Sequence, residues 1–146
     1  MRIAIVDDNH TDRIFLREGL ERILLKRNIE NSEIHIFNSA EDILEYLKNE
    51  QETFFDLIFM DIQMPVMNGY EATKAIRKSS HEQAKTIPII AMTANAFSDD
   101  IHHSLTVGMN AHISKPVEMK VLEKTISSIK FGGGLKRRLL NNKDEI

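Results

Sequence analysis

The chain of 146 residues contains no cysteine. Disulfides, thiolate metal sites and a cysteine nucleophile are therefore excluded. Long hydrophobic runs are missing too. The longest apolar stretches are about five residues, far short of the roughly 20 needed to span a bilayer as a helix. Neither sign of charge dominates. The 19 basic and 22 acidic side chains leave a net charge of −3, too mild to argue for a nucleic-acid or membrane partner. Met1-Arg2 leads straight into a strand-like run and leaves no room for a signal peptide, so a cytoplasmic location is expected. Glycine is sparse, and three of the six glycines sit together at Gly132-Gly133-Gly134, which breaks a helix. One domain is expected over residues 1–130. Residues 131–146 would form a Gly-rich junction and a short tail with Lys136-Arg137-Arg138 at its centre. That tail reads either as a frayed, solvated end or as a short extra helix.

What is present fits a globular protein: 42% hydrophobic and 28% charged residues. Strand-like and helix-like segments alternate. Residues 2–7 are short, apolar and β-branched, as in a buried strand. Over 11–27, Leu16, Leu20, Ile23 and Leu24 recur at helical spacing on one face. A second strand is predicted over Glu33 to Phe37. A second helix is predicted after Ser39, which reads as its N-cap, with a stripe of Ala40, Ile43, Leu44 and Leu47. Asp56 to Met60 predicts a third strand, and Ala72, Ala75 and Ile76 a short third helix. Ile87 to Met92 predicts a fourth strand. Ser98 reads as the N-cap of the fourth helix, which would carry Asp99 and Asp100 in its first turn, present Ile101, Leu105 and Met109 on one face, and stop at Gly108. Ala111 to Ser114 predicts the fifth strand. Leu122, Ile126 and Ile129 mark the fifth helix. Such alternation implies an α/β fold: a doubly wound, five-stranded parallel sheet with helices on both faces. Right-handed crossovers bring every strand's C-terminal end to one edge, where ligands bind in folds of this class.

Four apolar runs end at that edge on polar groups of different kinds. Ile3 to Val6 is followed by Asp7-Asp8. Leu57 to Met60 is followed by Asp61. Ile89 to Met92 is followed by Thr93, and Ala111 to Ser114 by Lys115-Pro116. Carboxylates hold hard cations such as magnesium, which keeps open positions for water and a phosphate oxygen. Two adjacent acids would repel each other without a cation, although Asp7-Asp8-Asn9 also reads as a plain turn and helix cap. Asp61, at the end of a dry strand, can attack phosphorus as a nucleophile if a metal and an ammonium keep it ionised. Lys115 would neutralise charge on the transferring group. Thr93 is either an ordinary strand-end residue or a hydroxyl donor to a phosphoryl oxygen. The Lys115-Pro116 bond is a candidate cis peptide.

From residue 2 to about 130, the chain resembles the receiver domain of two-component response regulators. The motifs are Ile5-Val6-Asp7-Asp8-Asn9, Phe59 through Asp61 to Gly69, Met92-Thr93-Ala94-Asn95-Ala96, and Gly108-Met109-Asn110-Ala111 with Ser114-Lys115-Pro116. The resemblance implies a flavodoxin-like strand order of 2-1-3-4-5. It implies Asp61 as phosphoacceptor, and magnesium (or manganese) held by Asp8 directly, by Asp7 through water, by Asp61, and by the main-chain carbonyl of Gln63. Thr93 and Lys115 would be the switch hydroxyl and the phosphate-binding lysine. Gln63 and Asn95 would tune the phosphoryl lifetime. His112 stands where the family usually carries Tyr or Phe. It either rotates as the coupling ring or points outward. The remaining histidines, His10, His35, His81, His102 and His103, are read as solvent-facing.

The expected function is a phosphorylation-dependent switch rather than a conventional enzyme, with autocatalytic phosphoryl transfer and self-dephosphorylation only. Its donor would be a histidine kinase or phosphotransfer protein. Its output would go to a downstream protein through the fourth helix, fifth strand and fifth helix, with a phosphorylation-dependent homodimer as a further option. Two rivals stand beside it: a metal-dependent phosphohydrolase with an Asp nucleophile, and an interaction module that is never phosphorylated. The phrases around Asp61 and Thr93 resemble receivers attached to hybrid histidine kinases, whereas a start at Met1 suggests a free-standing regulator.

Overall fold

A computed structural model describes residues 1–49, 54–94 and 98–129. Lys130, the junction and tail expected over 131–146, and the loop position Asn95 lie outside the described residues. Strands and helices alternate as β1 (Arg2–Val6), α1 (His10–Lys26), β2 (Glu33–Phe37), α2 (Ala40–Asn49), β3 (Leu57–Asp61), α3 (Gly69–Lys78), β4 (Ile89–Thr93), α4 (Ser98–Thr106), β5 (Ala111–Ser114) and α5 (Met119–Ser128). The five strands form one parallel sheet in the order β2-β1-β3-β4-β5.

Apart from Arg2 at the start of β1 and Asp61 and Thr93 at the ends of β3 and β4, the central strands are apolar throughout because both faces of the sheet are covered. Ala4, Val6, Ile58, Met60, Ile89 and Ala91 point to one side and pack with Ile43 and Leu47 of α2 and Ala72 and Ile76 of α3. Ile3, Ile5, Leu57, Phe59, Ile90 and Met92 point to the other and pack with Leu16, Leu20 and Ile23 of α1 and Leu122 and Ile126 of α5. The helical stripes and the two-residue alternation of the strands thus meet in two cores. Local signals start the helices where expected. Ser39 Oγ accepts the Asp42 N–H at 3.1 Å. Asn68 and Glu71 cap α3 reciprocally.

The face predicted for α4 is wrong in one respect. Leu105 is 57% exposed, while Ser104 and Val107 are buried. Met109 lies beyond the end of the helix, past Gly108, whose φ is +105°. Its burial is set by that turn and not by helical periodicity, so it cannot share a face with Leu105. A 3-10 turn, Glu82–Lys85, was also not foreseen. Such turns have no apolar repeat to betray them. It is tied into the fold by Arg77, which donates to the carbonyls of Ala84 (2.9 Å) and Gly108 (2.8 Å) and to Asn110 Oδ1 (3.0 Å). The burial of Arg77 pulls its pKa down.

Candidate functional site

Strand register brings the four chain segments together. Val6 pairs with Met60, Asp61 with Met92, and Thr93 with Ser114. Asp7 extends β1 by donating its N–H to Phe37 O at 3.1 Å, and the Lys115 N–H donates to Thr93 O at 2.8 Å. The groups expected at the C-terminal edge are therefore at that edge. Asp7, Asp61 and Thr93 are buried, Lys115 is partly buried, and Asp8 and Gln63 are exposed. The Gln63 N–H donates to Asp61 Oδ1 at 3.3 Å. The Lys115-Pro116 bond is cis.

Asp7, Asp8 and Asp61 each offer a carboxylate oxygen, and these atoms lie within 4.8 Å of one another. Lys115 Nζ stands 2.8 Å from Asp7 Oδ2 and 3.4 Å from Asp61 Oδ1. Asp7 Oδ2 is buried and receives no directed hydrogen bond; its compensation is the ion pair alone. Burial, and then the neighbouring charge of Asp7, push the Asp61 carboxyl up to about 7, against the pull of Lys115. For Lys115, burial works to lower the pKa, but its bonds to Asp7 and Asp12 and the charge of Asp61 outweigh that and raise it above the ordinary lysine range. Packed acids with an orphaned lone pair are short of positive charge. This donor set, all hard oxygen, fits a divalent cation such as magnesium.

Gly69 holds the far side of Asp61 in place. Its N–H donates to Ile62 O at 2.9 Å. A Cβ there would collide with the Asp61 carbonyl oxygen and lie 2.9 Å from Ile62 Cα. Backbone cannot step aside as a side chain can. Gly69→Ala is expected to cost about 1–3 kcal/mol, read as a lower urea midpoint with an unchanged slope.

The family model described as a response regulator receiver domain matches residues 3–127. The chain belongs to the response regulator receiver domain family. This receiver domain is 51% identical over 75 residues to histidine kinase 1 of Arabidopsis thaliana, a match covering 51% of the chain and 6% of the relative. It is 37% identical over 127 residues to the osmosensing histidine protein kinase SLN1 of Saccharomyces cerevisiae, covering 86% of the chain and 10% of the relative. The receiver thus spans only a small part of these relatives. Among solved structures, the chemotaxis protein CheY4 of Vibrio cholerae matches with a TM-score of 0.73 and 26% identity, over 88% of this chain and 98% of that one. The receiver domain of sensor histidine kinase PA1611 of Pseudomonas aeruginosa, solved with a magnesium ion coordinated in its active site cleft, matches with a TM-score of 0.68 and 26% identity, over 86% and 93%. The flavodoxin-like strand order and the two-component class expected from the motifs both hold. Among the described residues, no helix is long and apolar enough to cross a membrane.

Other positions differ from expectation or were not foreseen. His112 is half-buried in β5 opposite Ala91. Because Ala111 and Ile113 pack with the α1–α5 core, strand alternation turns His112 to the opposite face, the side of Ala91. Two histidines read as solvent-facing are half-buried. His35 packs edge-on against Phe55 at 5.4 Å, and His81 stacks on Phe54 at 4.2 Å. Their aromatic partners are distant in sequence or lie in irregular chain, so spacing could not reveal them. Asp12 was missed altogether. Its Oδ2 lies 3.0 Å from Lys115 Nζ. One signal was available: Asn9 caps α1 by accepting the Asp12 N–H at 3.0 Å, so a residue three after that cap falls in the first helical turn, beside the strand-end edge.

Proposed function

We propose that Asp61 of this receiver domain accepts a phosphoryl group from a phosphohistidine on a histidine kinase or phosphotransfer protein. The observation that carries this reading is a single ammonium, Lys115 Nζ, facing the carboxylates of Asp61 and Asp7 at the open end of the sheet. An Asp61 carboxylate oxygen attacks phosphorus, a P–O bond forms, the P–N bond breaks, and its electron pair returns to the donor imidazole. Asp7, Asp8, Asp61 and the Gln63 carbonyl would hold magnesium, which supplies charge neutralisation for the transferring oxygens. Lys115 adds a second positive group. Attack of water on phosphorus later returns free Asp61 and phosphate, and Gln63 and Asn95 tune its rate.

The signal leaves by a shift between two conformations that differ in affinity for the phosphoryl group. The Thr93 hydroxyl donates to a phosphoryl oxygen, and His112 follows inward. The output face is α4, β5 and α5, where Leu105 and Val121 are 57% and 42% exposed. It serves a downstream protein or, after phosphorylation, a second copy. The setting is the cytoplasm, with no direct role for nucleic acid.

Incubation with acetyl phosphate and magnesium, followed by intact mass measurement, tests this. Gain of one phosphoryl group per chain, mapped to Asp61, is expected. Continuous turnover of varied phosphate esters would instead identify a phosphohydrolase, and no uptake at all a passive module.

A further inference from the structure

Lys115 has a third carboxylate partner that is not part of the acidic trio. Its Nζ is 2.8 Å from Asp7 Oδ2, 3.0 Å from Asp12 Oδ2 and 3.4 Å from Asp61 Oδ1. Of these contacts, the one to Asp12 has hydrogen-bond geometry. Asp12 is not one of the three residues whose oxygens gather as a cation site. Its own position is well defined. The Asn9 side chain accepts the Asp12 N–H, and the Asn9 N–H donates to Asp7 Oδ1 at 2.9 Å. Arg13, the next residue, donates to the Asp7 carbonyl at 2.8 Å. The first turn of α1 is thus clamped to the end of β1, and from there it presents one acid to the lysine. An ammonium has three N–H donors. Here its three near partners are all carboxylates; the contact to Asp12 is the directed hydrogen bond and the one to Asp61 the longest.

We infer that Asp12 is a positioning residue that acts through Lys115. It holds the ammonium toward α1 while Asp61 is unmodified, and it competes with phosphoryl oxygens for the same donor. This inference rests on Asp61 being the phosphoacceptor. A phosphoryl group on Asp61 competes with Asp12 for the Lys115 ammonium, whose directed hydrogen bond goes to Asp12, so Asp12 weakens the grip of the site on its own product. The acid therefore sets the lifetime of the phosphorylated state from outside the metal site. It also gives α1 a direct link to that state, since loss of the Asp12 contact frees the helix's first turn from the lysine.

The test compares the wild type with Asp12→Asn, Asp12→Glu and Glu18→Gln, an exposed acid of the same helix that serves as a control for general charge. Two quantities are read: the affinity for beryllofluoride in the presence of magnesium, and the half-life of the aspartyl phosphate. Asp12→Asn is expected to raise both by about 2–5-fold, the range for a partly exposed ion pair. Asp12→Glu should return both towards wild type, and Glu18→Gln should leave both unchanged. If the start of α1 does not tolerate Asn, Asp12→Ser removes the same charge at a helix-compatible position. Equal values for Asp12→Asn and wild type, or an equal rise in Glu18→Gln, would overturn the inference. Failure of the wild type to take up a phosphoryl group on Asp61 would instead overturn the reading beneath it.

Discussion

Asp61→Asn is expected to abolish phosphoryl uptake and, in the absence of metal, to make the protein more stable at neutral pH. The first effect follows from chemistry: an amide lacks the ionised oxygen that attacks phosphorus. The second follows from the environment of Asp61. Burial and the charge of Asp7 raise its carboxyl from 3.8 to about 7 in the folded chain. Between those values the folded state binds more protons than the unfolded state, so stability falls as pH rises. The contribution is complete below the unfolded value and is lost as pH climbs through the folded one. In metal-free buffer, the wild type should therefore be more stable at about pH 5 than at about pH 8. Asp61→Asn should flatten that slope and gain about 1–2 kcal/mol at the upper end, after allowance for solvent at the open edge. Urea unfolding at the two pH values in a chelator reads the difference. Magnesium should narrow the gap by stabilising the wild type more than the variant. An unchanged slope in Asp61→Asn would mean that another group carries the titration.

Lys115→Met should act in the opposite direction on stability. It leaves Asp7, Asp12 and Asp61 without the ammonium they share. Removing one partner of a buried ion pair strands the other. The loss is expected at about 2–4 kcal/mol, because the 15% exposure of the Lys115 side chain admits some solvent to the site. The pKa of Lys115 is raised above 10.5, so as far as its own titration goes its contribution is fully present at lower pH and is lost only as pH rises through the folded value. Magnesium should restore part of the loss by replacing positive charge. Phosphoryl uptake from acetyl phosphate should slow by about 10²-fold, the effect of removing one preorganised charge donor. A variant as stable as the wild type in chelator would show that the acids are neutralised from elsewhere.

Much of the site was visible in the order of residues, for a definite reason. In a parallel sheet with right-handed crossovers, every strand end faces the same way, so residues at the ends of apolar runs must meet. Asp7, Asp61, Thr93 and Lys115 needed only that rule. The same rule says nothing about a residue that approaches the edge from a helix. Asp12 sits in the first turn of α1, and its contact with a lysine 103 positions away depends on how that helix docks. His35 illustrates the same limit. Strand alternation could assign it a face, but not the Phe55 ring it meets there.

Periodicity, turn residues and the polar ends of apolar runs dictated the fold class, the two-sided core and the identity of the acidic trio. These are local or topological properties, and they survive any small shift in packing. The sharing of Lys115 among three acids, the raised carboxyl of Asp61 and the exposure of Leu105 came from packing alone. Each depends on distances of a few ångströms between segments far apart in the chain. Both electrostatics and burial change steeply over that range.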